Sequence, residues 1–504
     1  MVSCTYTGQV AASFHVENFG CRAARADGEA IADRLRAAGL SEHQPSSAGV
    51  LIVNTCSVTS EADREARAFI RRAHRLNPEA RILATGCYAQ RAPDELAALP
   101  GVSAVVGNSH KAFAPDIALG LFEVPTAQSK ELIQIQAAQG PVTPSPQVFV
   151  DDRFAHSFVE EAQLVPGTQT RPNLKIQEGC SNRCTFCVIP QTRGSSRSLP
   201  FEKVLRQVRG FVAAGGNELV LSGINLGHWG RDLPVETAWV AHSHLTLAME
   251  ESGKDDKPRG LAALARRILA ETELARLRLS SVEPMDWTPE LINLMAEFGR
   301  GGRLARHAHL PLQSGSDAVL RRMHRRYRPW HYAEKVTALV RAAGPDLTLG
   351  ADVMAGFPGE TDREFEETLD FVRGLPFGYL HLFPFSPRPG TRAWALHAET
   401  PVPPSVVEER MAALRSLAAQ KCEAHRRRFI GRPLEAITLN TAASLVSRGR
   451  TSAMSENFLP VELAESFPGN QLLRVRVSGF GAQGTLLGEA IERDSVPERT
   501  LAER

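Results

Sequence analysis

Cysteine is scarce in this chain: there are eight among 504 residues. That is too few for a disulfide scaffold, and with no export signal the thiols are expected in a reducing cytoplasm. No apolar run approaches the ~18 residues that a membrane helix needs. The opening MVSCTYTGQVAASFHVENFG has no basic end followed by a long apolar stretch, so neither secretion nor a membrane partner is expected. Charge of one sign is also lacking. A net charge of +2 excludes a globally basic nucleic-acid binder but leaves room for local basic patches. What is present is ordinary apolar material, 43% of the chain. That suffices for several cores and excludes a disordered chain. At roughly 150 residues per domain, two to four domains are expected.

The distribution of the cysteines carries most of the information. Residues 14–107 read as strands alternating with helices: SFHVENFG, then a helix near Ala26–Ala38, GVLIVNT, an Arg-rich helix over Ser60–Leu76, ARILATG, a short helix after Pro93, and VSAVVG. That rhythm indicates a parallel sheet with right-handed crossovers. Cys21, Cys56 and Cys87 each lie just past the end of a predicted strand. In a parallel sheet those ends share the edge where ligands of open α/β folds bind, so three distant thiols would converge. The alternative is three unrelated buried cysteines, a common fate for a free thiol. Three in the same strand-end context favour convergence.

Residues 125–172 are rich in Pro, Gln and Gly and read as a linker. From Asn173 the βα rhythm resumes, with strand candidates LKIQEG, NELVLSG, ARLRLSSVEP, RHAHLPLQSGS, LTLGADVMAGFPGE and FGYLHLFPFSPRPG. Helices are expected at Phe201–Ala214, Leu261–Glu273, Pro289–Phe298, Asp317–Tyr327, Tyr332–Ala343 and Asp362–Arg373. Six βα units are too few for a closed eight-stranded barrel and suit an open, partial one. The stretch from about 232 to 260 fits no strand and reads as an insertion, with a helix around Ala241–Glu251. A long helix over Pro404–Phe429 follows. The remaining β-like runs, LEAITLN, LVSRGRTS, LPVEL, LLRVRVSGF and GTLLGEAI, suggest a small β-barrel or sandwich.

The second cysteine set is compact. KIQEGCSNRCTFCVIPQTRG holds Cys180, Cys184 and Cys187 in a C-x3-C-x2-C array behind the first strand of the second α/β set. Three thiolates on one loop can hold three irons of a [4Fe–4S] cube, leaving one iron open to a further ligand. Zinc is the competing metal, but zinc knuckles pair their cysteines and bring a fourth ligand at matching distance. The nearest histidines, His156 and His228, lie at no usual spacing. Chance is remote for three cysteines so close in a cysteine-poor chain.

The array resembles the radical-SAM signature, with the aromatic Phe186 before its last cysteine. With both cysteine sets placed, the sequence resembles the radical-SAM methylthiotransferases over about residues 13–495. The matching motifs are FGCRAARADGEAI, VNTCSVTSEADREAR, TGCYAQ, IQEGCSNRCTFCVIPQTRG, HLPLQSGSDAVLRRM and DVMAGFPGET. NTCSVT, TGCYAQ and QEGC-x3-CTFC-IP look most like the branch that acts on threonylcarbamoyladenosine in tRNA. The resemblance implies an α/β chain in three parts: an N-terminal parallel α/β domain (11–124), a central partial (βα)6 radical-SAM barrel (173–400) and a C-terminal TRAM-like β-barrel (430–498). The linker (125–172) and a connecting helix (401–429) join them.

The resemblance further implies two [4Fe–4S] clusters and S-adenosylmethionine (SAM). Cys21, Cys56 and Cys87 would hold an auxiliary cluster carrying the sulfur to be methylated. Cys180, Cys184 and Cys187 would hold the SAM-cleaving cluster and are the catalytic set. The reaction expected is transfer of a methylthio group to C2 of N6-threonylcarbamoyladenosine at tRNA position 37. Isopentenyladenosine in tRNA and a ribosomal-protein Asp are the alternative substrates. A non-catalytic iron–sulfur RNA-binding redox sensor is the alternative of another class. Expected partners are the tRNA anticodon stem-loop, a flavodoxin- or ferredoxin-like reductant and a sulfur donor, with the chain a monomer.

SAM needs partners besides iron. Phe186, Gly223, Asn225, Ser281 and Glu283 stand at strand ends or beside the array and are the candidates. Gly356 and Gly359 read as turn-formers. Two Arg-rich stretches, RRMHRRYRPWH at Arg321–His331 and the helix through Arg64–Arg75, could meet phosphates and stack on unpaired bases. Cys4 and Cys422 have no partner pattern.

Overall fold

The computed structural model describes residues 12–122, 145–158, 164, 170–234, 260–299, 302–481 and 484–492. Two compact units emerge. The first comprises Met1–Gln163 with Glu178–Ser181 and Cys187–Ser195, and the second takes the rest.

The first unit is built on a parallel sheet. Its strands are β1 (Ser13–Asn18), β2 (Ser41–Glu42), β3 (Val50–Thr55), β4 (Arg81–Gly86), β5 (Val102–Gly107) and β6 (Gln147–Phe149), in the order β2-β1-β3-β4-β5-β6. All neighbours run parallel. Every residue of β3 is buried, because a parallel sheet covered on both faces needs apolar side chains on both. Val50 and Ile52 face one way, with Phe14 and with Ile31 and Leu35 of helix Arg22–Ala37. Leu51 and Val53 face the other, with Phe69 and Ile70 of helix Ser60–Leu76. That helix starts where Thr59 accepts the Ala62 N–H. The sequence rhythm closes the set at VSAVVG. The structure adds β6, drawn from the segment expected to be linker, and three residues are too few to show a strand period.

In the second unit, save for Glu178 at the end of the first of them, the barrel strands are β7 (Asn173–Glu178), β8 (Arg197–Ser198), β9 (Glu218–Gly223), β10 (Arg276–Leu279), β11 (His307–His309), β12 (Thr348–Ala355) and β13 (Phe377–Pro384). They form two sheets, β10-β9-β7-β8 and β11-β12-β13. Parallel bridges Leu277↔Leu304 and Ser281↔His309 carry the wall from one to the other. The six βα strands predicted from Asn173 onward are thus present as an open (βα)6 wall. Two local differences stand out. The helix expected over Asp317–Tyr327 stops at Arg322, because His324 takes a left-handed φ of 57° and turns the chain. The expected helix around Ala241–Glu251 lies outside the described residues, as does Cys4.

Helix Pro404–Arg427 leads to a closed five-stranded barrel of β14 (Pro433–Thr438), β15 (Thr451–Ser455), β16 (Pro460–Leu463), β17 (Leu472–Phe480) and β18 (Leu486–Glu492), ordered β14-β15-β16-β18-β17. LVSRGRTS, expected as one strand, is instead a short helix (Ala443–Val446) followed by the start of β15. Gly449, with φ 67°, makes the turn between them.

This small barrel is fixed to the βα wall. Phe458, itself at φ 67°, places its ring 4.4 Å from that of His307 and 5.5 Å from that of Tyr379. Arg278 donates to the Ser455 carbonyl at 3.1 Å and Arg276 meets Glu435 at 3.0 Å. Behind both arginines lies Glu218, fully buried, paired with Arg171 at 2.7 Å, Arg276 at 3.3 Å and Arg278 at 2.8 Å. Burial alone would raise the Glu218 pKa; the three guanidinium groups overcome it and hold the carboxyl well below the usual range. The stability this contributes is present above the unfolded carboxyl pKa and is lost as pH falls toward the folded value. Glu218→Ala is therefore expected to cost about 3–5 kcal/mol in urea unfolding at neutral pH, since it strands buried cations. Its penalty relative to the parent should shrink below about pH 4. An unchanged unfolding midpoint at neutral pH would refute the assignment. No helix among the described residues is long and apolar enough to cross a membrane.

Candidate functional site

Strands β1, β3 and β4 lie side by side, with Asn18 opposite Asn54, Asn54 opposite Thr85 and Thr55 opposite Gly86. Their C-terminal ends are therefore level. Cys21 caps the helix that follows β1, Cys56 follows β3, and Cys87 opens the short helix after β4. The three cysteines share one edge, as the strand-end pattern requires. Gly20 shows how tightly. A Cβ there would lie 2.6 Å from the Cys56 Cβ and 2.8 Å from its sulfur, at a φ of 104° that side chains avoid. Burial, and then the neighbouring Cys87 and Cys21, push the Cys56 thiol up to about 12. A bare thiolate is disfavoured there, and a cationic metal centre is what would relieve it.

The same unit supplies N–H donors to this edge. Arg193 is fully buried. Its Nε donates to Cys87 Sγ at 3.2 Å, and its two terminal nitrogens reach Glu178 at 2.7 Å and Asp27 at 3.2 Å. Lys111 also grips Asp27, at 2.8 Å. Burial would lower the Arg193 pKa, but Cys87, Glu178, Asp27 and Cys21 prevail and keep it charged. Asn108 Nδ2 lies 3.4 Å from Cys87 Sγ and donates to the Thr192 carbonyl at 2.8 Å.

Of the second cysteine set, Cys180 and Cys187 belong to the first unit and Cys184 to the second. The Cys180 N–H donates to the Gly194 carbonyl at 3.0 Å. In the second unit Arg325 donates from one terminal nitrogen to Cys184 Sγ at 3.3 Å, from the other to Glu283 at 2.5 Å, and from Nε to the Tyr327 hydroxyl at 3.2 Å. Each cysteine set thus has a buried guanidinium on one sulfur, anchored by carboxylates. Soft sulfur donors with N–H groups aimed at them fit iron–sulfur ligation, where such hydrogen bonds tune the metal.

The SAM candidates are placed as follows. Phe186 packs edge-on against the buried Phe357, ring centroids 6.5 Å apart. Gly223 approaches Gln177 so closely that a Cβ would lie 2.9 Å from it. The Asn225 N–H donates to Gln177 Oε1 at 2.7 Å. Ser281 Oγ is 3.0 Å from His309 Nδ1, and Glu283 holds Arg325.

In the Arg321–His331 stretch much of the basic charge already has an acidic partner, while Arg321, Arg326 and Trp330 remain exposed. Arg321 and Arg328 pair with Asp317, Arg322 forks onto Glu364, and Arg325 is committed to Glu283 and Cys184. Tyr327 is buried with its hydroxyl donating to Pro311 and Leu312 carbonyls, so it cannot stack on a base. Trp330 alone among its aromatic pair is exposed. Sequence reasoning missed Arg193 and Arg325. The first stood in plain view in the TRG that closes the array, and the second was hidden among neighbouring arginines.

Comparison with known proteins agrees with this picture. Residues 174–372 match the Radical SAM superfamily, and residues 13–107 match Uncharacterized protein family UPF0004. The chain is 33% identical over 452 residues to the threonylcarbamoyladenosine tRNA methylthiotransferase MtaB of Bacillus subtilis (strain 168), covering 89% of each. It is 31% identical to the like-named protein of Thermotoga maritima, over 94% of this chain and 95% of that one. It is 32% identical to the tRNA-2-methylthio-N(6)-dimethylallyladenosine synthase of Novosphingobium aromaticivorans, over 84% and 86%. With two thiol sets, a parallel α/β unit, a (βα)6 wall and this near-complete alignment, the chain belongs to the radical-SAM methylthiotransferase family, enzymes that work with an iron–sulfur cluster and S-adenosylmethionine.

Proposed function

We propose that this chain transfers a methylthio group to C2 of N6-threonylcarbamoyladenosine at position 37 of tRNA, using two [4Fe–4S] clusters. The observation that carries the reading is the convergence of Cys21, Cys56 and Cys87 on one strand-end edge, a second soft-ligand set in addition to the C-x3-C-x2-C array of the sequence. Cys180, Cys184 and Cys187 would hold the SAM-cleaving cluster and the first trio the sulfur-bearing one. When bound, such a cluster would pass one electron to the sulfonium of S-adenosylmethionine, releasing methionine and a 5′-deoxyadenosyl radical able to take hydrogen from C2, an aromatic carbon that acid–base chemistry leaves untouched.

The chain's own residues orient and shield. Arg193 and Asn108 fix the Cys87 sulfur, and Arg325, braced by Glu283, fixes that of Cys184. Phe186 against Phe357 makes an apolar wall that excludes water from a radical site. Phe186, Gly223 and Asn225 are the proposed SAM contacts. Ser281 and Glu283 act as positioning groups through His309 and Arg325. The exposed arginines of helix Ser60–Leu76, Arg64, Arg71, Arg72 and Arg75, suit the phosphates of an anticodon stem-loop. A flavodoxin- or ferredoxin-like reductant and a sulfur donor complete the reaction, with a monomeric enzyme in the cytoplasm.

The choice of substrate follows the relatives. Four with 31–33% identity carry threonylcarbamoyladenosine in their names. Others at 32–33% are named for dimethylallyladenosine, which makes isopentenyl-type adenosine the second reading. Mass spectrometry of tRNA nucleosides from a strain lacking the gene separates them. The 2-methylthio derivative of threonylcarbamoyladenosine should vanish, its precursor should accumulate, and the parent gene should restore it. Loss of the dimethylallyl derivative instead would establish the second reading.

A further inference from the structure

We propose that His309, Asp352 and His381 form a binding site for one divalent transition-metal ion, with zinc the best fit, built from none of the cysteines. The residues come from three adjacent parallel strands, β11, β12 and β13. Asp352 is paired in register with His381, and His309 with Gly350. Two residues along a strand return to the same face, so Gly350 and Asp352 share one. Gly350 has no side chain to obstruct that face. A Cβ there would lie 2.1 Å from Tyr379 Cζ, and the Tyr379 ring, stacked 5.9 Å from that of His309, fills the space.

The donor atoms converge. His309 Nε2 is 3.3 Å and His381 Nδ1 3.2 Å from the same oxygen, Asp352 Oδ1. One ligand atom from each of the three residues falls within 4.8 Å of the others. Zinc bonds of ~2.0–2.1 Å in a tetrahedron place neighbouring ligands roughly 3.3–3.4 Å apart, close to the two edges of 3.3 and 3.2 Å.

A second observation points to a ligand. His309 is 7% exposed, and its buried Nε2 makes no hydrogen bond despite lying 3.3 Å from a carboxylate oxygen. His381 Nδ1, by contrast, is hydrogen-bonded to Asp352 Oδ1, and an incoming ion would take the place of that proton. The other ring nitrogen of His309, Nδ1, is 3.0 Å from Ser281 Oγ. A metal-ligating imidazole is commonly steadied in this way, its far nitrogen held by an outer partner while the near lone pair faces the ion. Two imidazoles and one carboxylate suit zinc, cobalt or ferrous iron. His381, whose side chain is 59% exposed, gives the ion a route from solvent. The fourth position is left for water or another oxygen or nitrogen donor.

The test is metal analysis of the anaerobically prepared full-length chain with its iron–sulfur centres loaded, followed by titration with Zn2+ or Co2+. One non-iron ion per chain is expected. It should be lost in His309→Ala and in His381→Ala with iron content and circular dichroism unchanged. Ser281→Ala should keep the ion but bind it about 10–100-fold more weakly. Failure of the parent chain to bind either ion, or retention of the ion by the His309→Ala/His381→Ala double variant, would overturn the proposal. Neither result depends on which RNA the enzyme modifies.

Discussion

Alanine at Cys56 is expected to leave a chain that still cleaves S-adenosylmethionine but delivers no sulfur to RNA. The residue belongs to the first thiol trio, on the edge shared by β1, β3 and β4, whereas the C-x3-C-x2-C array is untouched. Iron should fall from about eight to about four per chain. Dithionite and SAM should still release 5′-deoxyadenosine, while the methylthiolated nucleoside drops below detection. Alanine at Cys184 should do the reverse to cleavage: no 5′-deoxyadenosine, again with about four irons remaining. If the Cys56 variant kept about eight irons and full transfer, the auxiliary role of the trio would be untenable. Because Cys56 is buried and its neighbour Gly20 leaves no spare room, alanine, smaller than cysteine, is the substitution least apt to disturb the fold.

Methionine at Arg193 should be nearly as damaging, through a different route. The guanidinium is shared by Asp27 and Glu178, each 1% exposed, and by the sulfur of Cys87. Its removal takes from two buried carboxylates the cation they share, while Lys111 stays with Asp27. A loss of about 3–5 kcal/mol is expected for one member of such a network, read as an earlier urea midpoint for the N-terminal unit. Arg193→Lys separates structure from tuning. It returns the positive charge and most of the stability, but it lacks the Nε–H that reaches Cys87. Its reduced iron–sulfur signal should therefore shift in paramagnetic resonance and reduction potential. A lysine variant with the parent's potential would reduce Arg193 to a structural cation.

Much of the architecture could be read from residue pattern because the relevant physics is local. Strands such as VLIVNT are apolar on both faces only where helices cover both, and that announces a parallel sheet. Once the sheet is parallel, Cys21, Cys56 and Cys87 have to meet at its edge. What escaped prediction depended on distant partners. Nothing local distinguishes Arg325, with a side chain 5% exposed, from the exposed Arg326 beside it. The difference is set by Glu283 and Cys184, well removed in the chain. The stop at Arg322 and the turn at Gly449 each hinge on one left-handed residue, which propensity does not forecast for His324. The His309–Asp352–His381 group spans three strands and has no sequence spacing that would betray it.

The ring of Phe458, wedged against His307 and Tyr379, has a practical corollary for anyone shortening this enzyme. A chain cut after the long connecting helix would not merely shed an accessory module. It would uncover the underside of the βα wall, release Arg276 and Arg278 from half their partners, and invite aggregation. The terminal barrel behaves as a keystone, held to the βα wall by side chains from both sides and not by the connecting helix alone.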